Sequence, residues 1–154
     1  MATKQVMIDD YEKYQSLALY SLIGSSPSGL SIKKFDFSKS AYEINGTHGL
    51  YIKHASARLT PWNFGFRQTD YLVMTEIESK TKSLVIALVC GFEGLVVLSK
   101  SELLTLTNFY EIPDENCRVT VRTKHGGSWD ISGNAGNLPR MKLKTAPWKD
   151  IKLN

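Results

Sequence analysis

Apolar positions in the first third of the chain follow two different periods. Residues 8–23, IDDYEKYQSLALYSLI, repeat Tyr11, Tyr14, Leu17 and Leu22 at helical spacing. Asp9 and Asp10 stand where a first turn and its positive dipole end favour acids, so the pattern predicts a helix. GSSPSG at 24–29 stops it, because glycine permits a left-handed exit and proline cannot continue the ladder. In GLSIKKFDF, Leu30 and Ile32 alternate, and Phe35 and Phe37 alternate again after a one-residue slip at Lys33 and Lys34, which predicts one strand carrying a bulge. AYEI and HGLYIKH flank Asn45-Gly46, a pair that tolerates the positive φ angles of a type I′ turn, so two antiparallel strands follow.

Beyond a connection over 61–66, QTDYLVMTEIESK places Leu72, Val73, Glu76 and Ile77 so that one face is apolar and the other charged, which predicts a second helix. LVIALVC, 84–90, is apolar throughout and rich in β-branched residues; neither face of that strand can look at water, and it should be central. GFEG turns the chain into LVVL, and Ser99-x-x-Glu102 forms a capping box before Leu103, Leu104 and Leu106, so a short third helix starts there. CRVTVRT, KHGGS and WDISG read as a hairpin, followed by an irregular basic tail with Pro139 and Pro147. The expectation is one α+β domain over 1–154, with a mixed central sheet in a core at 8–98 and a helix, hairpin and tail at 99–154.

Charge sharpens this outline. Net charge is only +4, but residues 117–154 carry eight Lys or Arg against Asp130 and Asp150, and are therefore +6, whereas 81–116 are −3. Such asymmetry suits a protein that turns one face toward a polyanion, and it also suits plain solubility. No apolar run approaches the roughly 18 to 20 residues of a membrane span, and MATKQVMIDDYEKY lacks the apolar stretch of a signal peptide, so a cytoplasmic protein with no membrane partner is expected. Cys90 and Cys117 have no CxxC spacing and read as buried, reduced thiols.

The order helix, three strands, helix, strand over about residues 8–98 resembles the common core of the PD-(D/E)xK restriction-endonuclease-like superfamily, which includes type II restriction enzymes and archaeal Holliday-junction resolvases. The resemblance implies an acidic residue on or near the second core strand and an acid-x-Lys motif on the third. In active members the carboxylates hold Mg²⁺ and the lysine helps position water. Glu43 falls on the second strand and Lys53 at the motif lysine, but Tyr51 stands where the motif acid belongs. A phenol stays protonated near neutral pH and is no hard anionic ligand. An intact site needs a carboxylate migrated from elsewhere, with Glu76 as candidate; otherwise Glu43 and Lys53 form a cross-strand ion pair beside the Asn-Gly turn.

Two further clusters bear on function. KHASARLTPWNFGFR sets Lys53, His54, Arg58 and Arg67 around Trp62, Phe64 and Phe66, the mixture of cations and rings that a nucleic acid favours. Those rings also alternate with the period of a core strand, and at least two of them are expected inside. RMKLKTAPWKDIK alternates Arg140, Lys142 and Lys144 with Met141 and Leu143, either a phosphate-facing row or the protective lysines of an edge strand. His48, His54 and His125 are dispersed without zinc spacing, no Gly-x-Ser-x-Gly elbow appears, and KHGGSW and SGNAG read as turns rather than phosphate loops.

Three functional readings follow. The first is a nucleic-acid-binding accessory protein on a nuclease-like fold without activity, contacting its ligand through Lys53, His54, Arg58, Arg140, Lys142 and Lys144. The second is a protein-interaction module, such as an immunity, inhibitor or antidefence factor, that uses the acidic 111–115 region and exposed aromatics. The third is a Mg²⁺-dependent nuclease with Glu43 and Lys53 as catalytic residues. Only the last requires a cofactor.

Overall fold

Asp9 begins the first helix as its side chain accepts the backbone N–H of Glu12 at 2.8 Å, satisfying one of the donors that a helix start leaves unpaired. A computed structural model of the chain describes residues 8–26, 28–111, 117–123, 128–138, 141–142 and 148. In chain order the elements are α1 (Asp10–Gly24), β1 (Ile32–Lys34), β2 (Ala41–Ile44), β3 (His48–Ala55), β4 (Trp62–Phe66), α2 (Gln68–Lys80), β5 (Ser83–Cys90), β6 (Gly94–Ser99), α3 (Lys100–Leu106), β7 (Cys117–Thr123), β8 (Ser128–Gly133) and β9 (Met141–Lys142). The protein is mixed α+β, with two sheets.

The first sheet, sheet A, has the order β1-β2-β3-β5-β6. Its opening meander is antiparallel, α2 crosses over so that β5 runs parallel to β3, and β6 returns antiparallel. Asn45 and Gly46 adopt φ of 54° and 73° and close the β2–β3 turn as their residue types predict. β5 is flanked by strands on both sides and buried from Leu84 to Cys90, which is why that run contains no polar residue. At the start of α3, Ser99 and Glu102 form both halves of the capping box.

Two expectations change. The strand expected over 30–37 is confined to Ile32–Lys34; Phe35 still donates its backbone N–H to Ala41 O at 2.9 Å, but there the pairing ends, and Phe35 and Phe37 stack on one another at 4.9 Å. The connection at 61–66 is largely strand β4, which pairs with β7 in a second sheet, sheet B, of order β4-β7-β8-β9. Its alternating pattern, with Trp62, Phe64 and Phe66 at most 1% exposed and Asn63 and Gly65 outward, is that of an antiparallel sheet with one wet face.

That wet face has a dry counterpart. One core cluster joins Leu84, Ile86 and Leu88 of β5 to Phe64, Val119 and Ile131 of sheet B and to Met74 and Ile77 of α2. A second lies on the opposite side of sheet A, where Tyr14, Ala18 and Leu22 of α1 meet Leu50, Ile52 and Val85. The layers are thus α1, sheet A, and then sheet B beside α2. Trp148, close to the chain end, is buried in the second cluster and donates its indole N–H to Ser21 of α1 at 3.0 Å. Cys90 and Cys117 are buried thiols. Among the described residues no helix is long and apolar enough to cross a membrane.

Candidate functional site

Alternation along β3 sends successive side chains to opposite faces of sheet A, and this decides what surrounds Lys53. Its ammonium points toward α2 and donates to Asp70 Oδ1 at 2.8 Å; the Tyr51 hydroxyl, two residues earlier on the same face, donates to the same oxygen at 2.6 Å. Asp70 Oδ2 accepts the backbone N–H of Arg67 at 2.9 Å, so the carboxylate also caps the start of α2. The Lys53 and Asp70 side chains are 19% and 11% exposed, and the ammonium lies 5.1 Å from the centre of the Phe66 ring. Burial, followed by the charge and hydrogen bond of Asp70, pushes the Tyr51 phenol well above its ordinary range.

Position 51 therefore does find a carboxylate, but on the helix. Asp70 had no place among the sequence candidates, because an acid in a first helical turn is fully explained by capping; its other partners are revealed only when β3 is laid against α2. Glu76, the expected migrant, instead pairs with Lys80 one turn away at 3.4 Å, both about half exposed. Glu43 stands opposite Gly49 on β3 and Lys33 on β1. Lys53 is four residues farther along β3 than Gly49, about 13 Å at strand rise, so the structure does not bring Glu43 and Lys53 together as an ion pair or as a ligand set.

This donor set does not fit a magnesium ion. Asp70 already accepts an ammonium, a phenol and an amide. Among the described residues, no three His, Cys, Asp or Glu side chains converge as metal ligands. A hard cation would have to displace Lys53 and would find one carboxylate where it needs several anionic oxygens. What the trio can do is hold the start of α2 rigidly against β3.

His54 goes to the other face. Its ring stacks on Tyr14 of α1, with centroids 4.4 Å apart and planes 9° from parallel, while Tyr11 approaches edge-on at 5.8 Å. Burial and the Lys53 charge lower its pKa against the opposing pull of Asp10, which favours the uncharged ring. Nearby, Gln15, Ser40, Tyr42 and Tyr11 form a polar knot between α1 and β2: the Tyr42 hydroxyl donates to Gln15 Oε1 at 3.0 Å, and the Tyr11 and Ser40 hydroxyls are in contact. Burial raises the Tyr11 phenol to about 12, helped by Tyr42 and Asp9.

Arg58 occupies the exposed loop between β3 and β4. Two hydrogen bonds hold this loop: Thr60 Oγ1 accepts Thr123 N–H at 3.0 Å, and Ala57 O accepts Trp62 Nε1–H at 2.8 Å. Ala57 O also presses on the β5–β6 turn, since a Cβ placed on Gly91 would lie 2.6 Å from it. The loop thus touches both the end of β7 and the turn that carries Phe92.

The wet face of sheet B holds cations that the sequence reading left outside its footprint. Val119 and Val121 of β7 are wholly buried, which turns Arg118 and Arg122 to solvent with Thr120 between them. Asn63 accepts from the Thr120 hydroxyl at 2.9 Å, and Asn134 Oδ1 accepts Arg118 N–H at 3.1 Å. Arg118, Thr120, Ser132 and Asn134 line a shallow cleft of about 340 Å³. Lys142, on β9, occupies the register position opposite Ser128, with β8 between it and β7. Arg140, Lys144 and His125 lie outside the described residues, as does 112–116 of the acidic stretch; Glu111 is exposed.

Compared with known proteins, the chain matches no protein-family model, no curated protein and no solved structure.

Proposed function

We propose that this protein is a nucleic-acid-binding accessory factor whose footprint is the wet face of sheet B, and that its restriction-endonuclease-like core serves as scaffold rather than as a metal enzyme. The observation that carries the reading is the row Arg118, Thr120, Arg122, locked outward by Val119 and Val121 and continued to Arg58 through the Thr60–Thr123 hydrogen bond. Arg118 and Arg122 are about 13 Å apart at strand rise, a spacing that meets separate phosphates on one backbone. The hydroxyls and amides of Asn63, Thr120 and Ser132 between them are phosphate-contacting types that carry no repelling charge. Asp130, opposite Arg122, is the one acid paired with β7 in the register.

The scaffold half of the reading draws on element order: with β4 set aside as a strand of sheet B, α1, β1 to β3, α2 and β5 follow one another as helix, three strands, helix, strand. Where the resemblance calls for a metal and its ligands, the chain has an internal ion pair. Lys53 and His54 then act in support, the first fixed to Asp70 and the second stacked on Tyr14, while Arg58 and the sheet B arginines meet the ligand.

The test is binding of labelled DNA by the intact protein across a salt series. Affinity should fall log-linearly with salt, and Arg118→Ala with Arg122→Ala should shallow the slope by about 2, roughly one per phosphate contact removed. Lys53→Met should leave that slope unchanged. No retention at low salt would reject the proposal.

A further inference from the structure

Three rings form a ladder beside the Arg58 loop. His54 of β3 stacks on Tyr14 of α1, and Tyr14 stacks in turn on Phe92 with centroids 5.4 Å apart and planes 18° from parallel. The middle ring is buried and one end is wide open: Tyr14 is 6% exposed and His54 is half-buried, whereas Phe92 is 74% exposed. Leu59 and Leu72 are comparably exposed but have no planar face to offer, and Tyr20, at 80% the more exposed ring, is stacked on no other ring among the described residues. Phe92 has its plane set by the ring beneath it and its outer face toward water, so little rotamer freedom remains to be lost on binding.

The ladder also lies at the end of a marked route. Arg118 and Arg122 follow β7 to Thr123, Thr123 is bonded to Thr60 of the Arg58 loop, and Ala57 of that loop abuts Gly91, the neighbour of Phe92. Cations line the route and a ring ends it.

We propose that the ligand is single-stranded nucleic acid, with its backbone along Arg118 and Arg122 on the outer face of sheet B, turning at the Arg58 loop toward the α1 side of sheet A, and one unpaired base stacked on the free face of Phe92 as the fourth ring of the ladder. This rests on the nucleic-acid reading above and narrows it. A duplex buries its base faces in its own stack and has none to give along its length, whereas a single strand offers one at every nucleotide.

Fluorescence anisotropy on the full chain separates the two levels, using a labelled mixed-sequence DNA single strand of about 20 nucleotides and the same sequence as a duplex, at about 50 and 200 mM salt. The single strand should bind about tenfold more tightly than the duplex. Phe92→Ala should lose about tenfold on the single strand and nothing on the duplex, and Phe92→Trp should retain the single-strand affinity. Because Phe92 is exposed, an unchanged melting temperature is expected for both variants. Equal affinity for the two forms, indifferent to Phe92→Ala, would overturn the stacking proposal while leaving the sheet B reading in place. Binding of neither form would overturn both.

Discussion

The two ends of α2 are each fastened by a carboxylate, a lysine and a tyrosine, in different surroundings. At the N-terminal end Asp70 receives the Lys53 ammonium and the Tyr51 hydroxyl; at the C-terminal end Glu78 receives the Lys100 ammonium at 2.5 Å and the Tyr110 hydroxyl at 2.7 Å. Lys53 lies against the ring of Phe66 and Lys100 against the ring of Tyr110. The chemistry repeats, but the solvent does not. Lys53 and Asp70 are 19% and 11% exposed, against 41% and 25% for Lys100 and Glu78, and Asp70 has the additional duty of capping the helix. The same trio should therefore be costly to break in one place and cheap in the other, because an uncompensated charge is penalised in proportion to its separation from water.

The largest effect is expected from Asp70→Ala. It strands a mostly buried ammonium, leaves the Tyr51 hydroxyl without its acceptor and removes a cap, and should lower unfolding free energy in urea by about 3 to 5 kcal/mol. The pair as a whole is a different matter, since replacing both charges by apolar groups also removes the desolvation cost. Lys53→Met combined with Asp70→Leu should recover most of the loss. A double variant as unstable as Asp70→Ala alone would mean that Asp70 matters for its cap and not for its pairing.

Glu78→Ala sharpens the contrast from the other side. Lys100 can turn to water when its partner is removed, so about 1 kcal/mol is expected by the same urea measurement. A loss as large as that of Asp70→Ala would show that burial does not govern the difference between the two ends.

These residues also show what could be read from the sequence. Local signals were legible where one stretch determines its own structure: Asn45-Gly46, the Ser99–Glu102 box and the apolar run of β5 all formed as their residue types dictate. Sheet B was less legible because β4 finds its partner more than fifty positions away on β7, and nothing local in TPWNFGF distinguishes a pairing strand from a connection. Asp70 was hidden for a related reason, since its capping role is local and its pairing with β3 is not. The grouping of Lys53 with His54 runs against a point already contained in the strand assignment. Neighbours on a strand face apart, so those two side chains were never able to share one surface.

The smallest effect separates the two trios by pH. Burial and Asp70 raise the Tyr51 phenol, burial and Glu78 raise that of Tyr110, and Tyr11 is raised from 10.0 to about 12. In each case the folded state holds the proton more tightly than the unfolded chain. The stabilisation is therefore complete below pH 10 and drains away as pH rises through the folded values. Burial of Cys90, which moves its thiol from 9.0 to about 12, adds the same trend from pH 9 upward. The urea midpoint should thus decline across pH 9 to 12, and Tyr51→Phe, which removes one raised phenol, should make the decline shallower. Tyr110→Phe should do so to a lesser degree, because the carboxylate it contacts is better hydrated. Identical slopes for wild type and Tyr51→Phe would show that the phenol keeps no tighter hold on its proton in the fold, and with it would go the view of Asp70 as a charge held away from water.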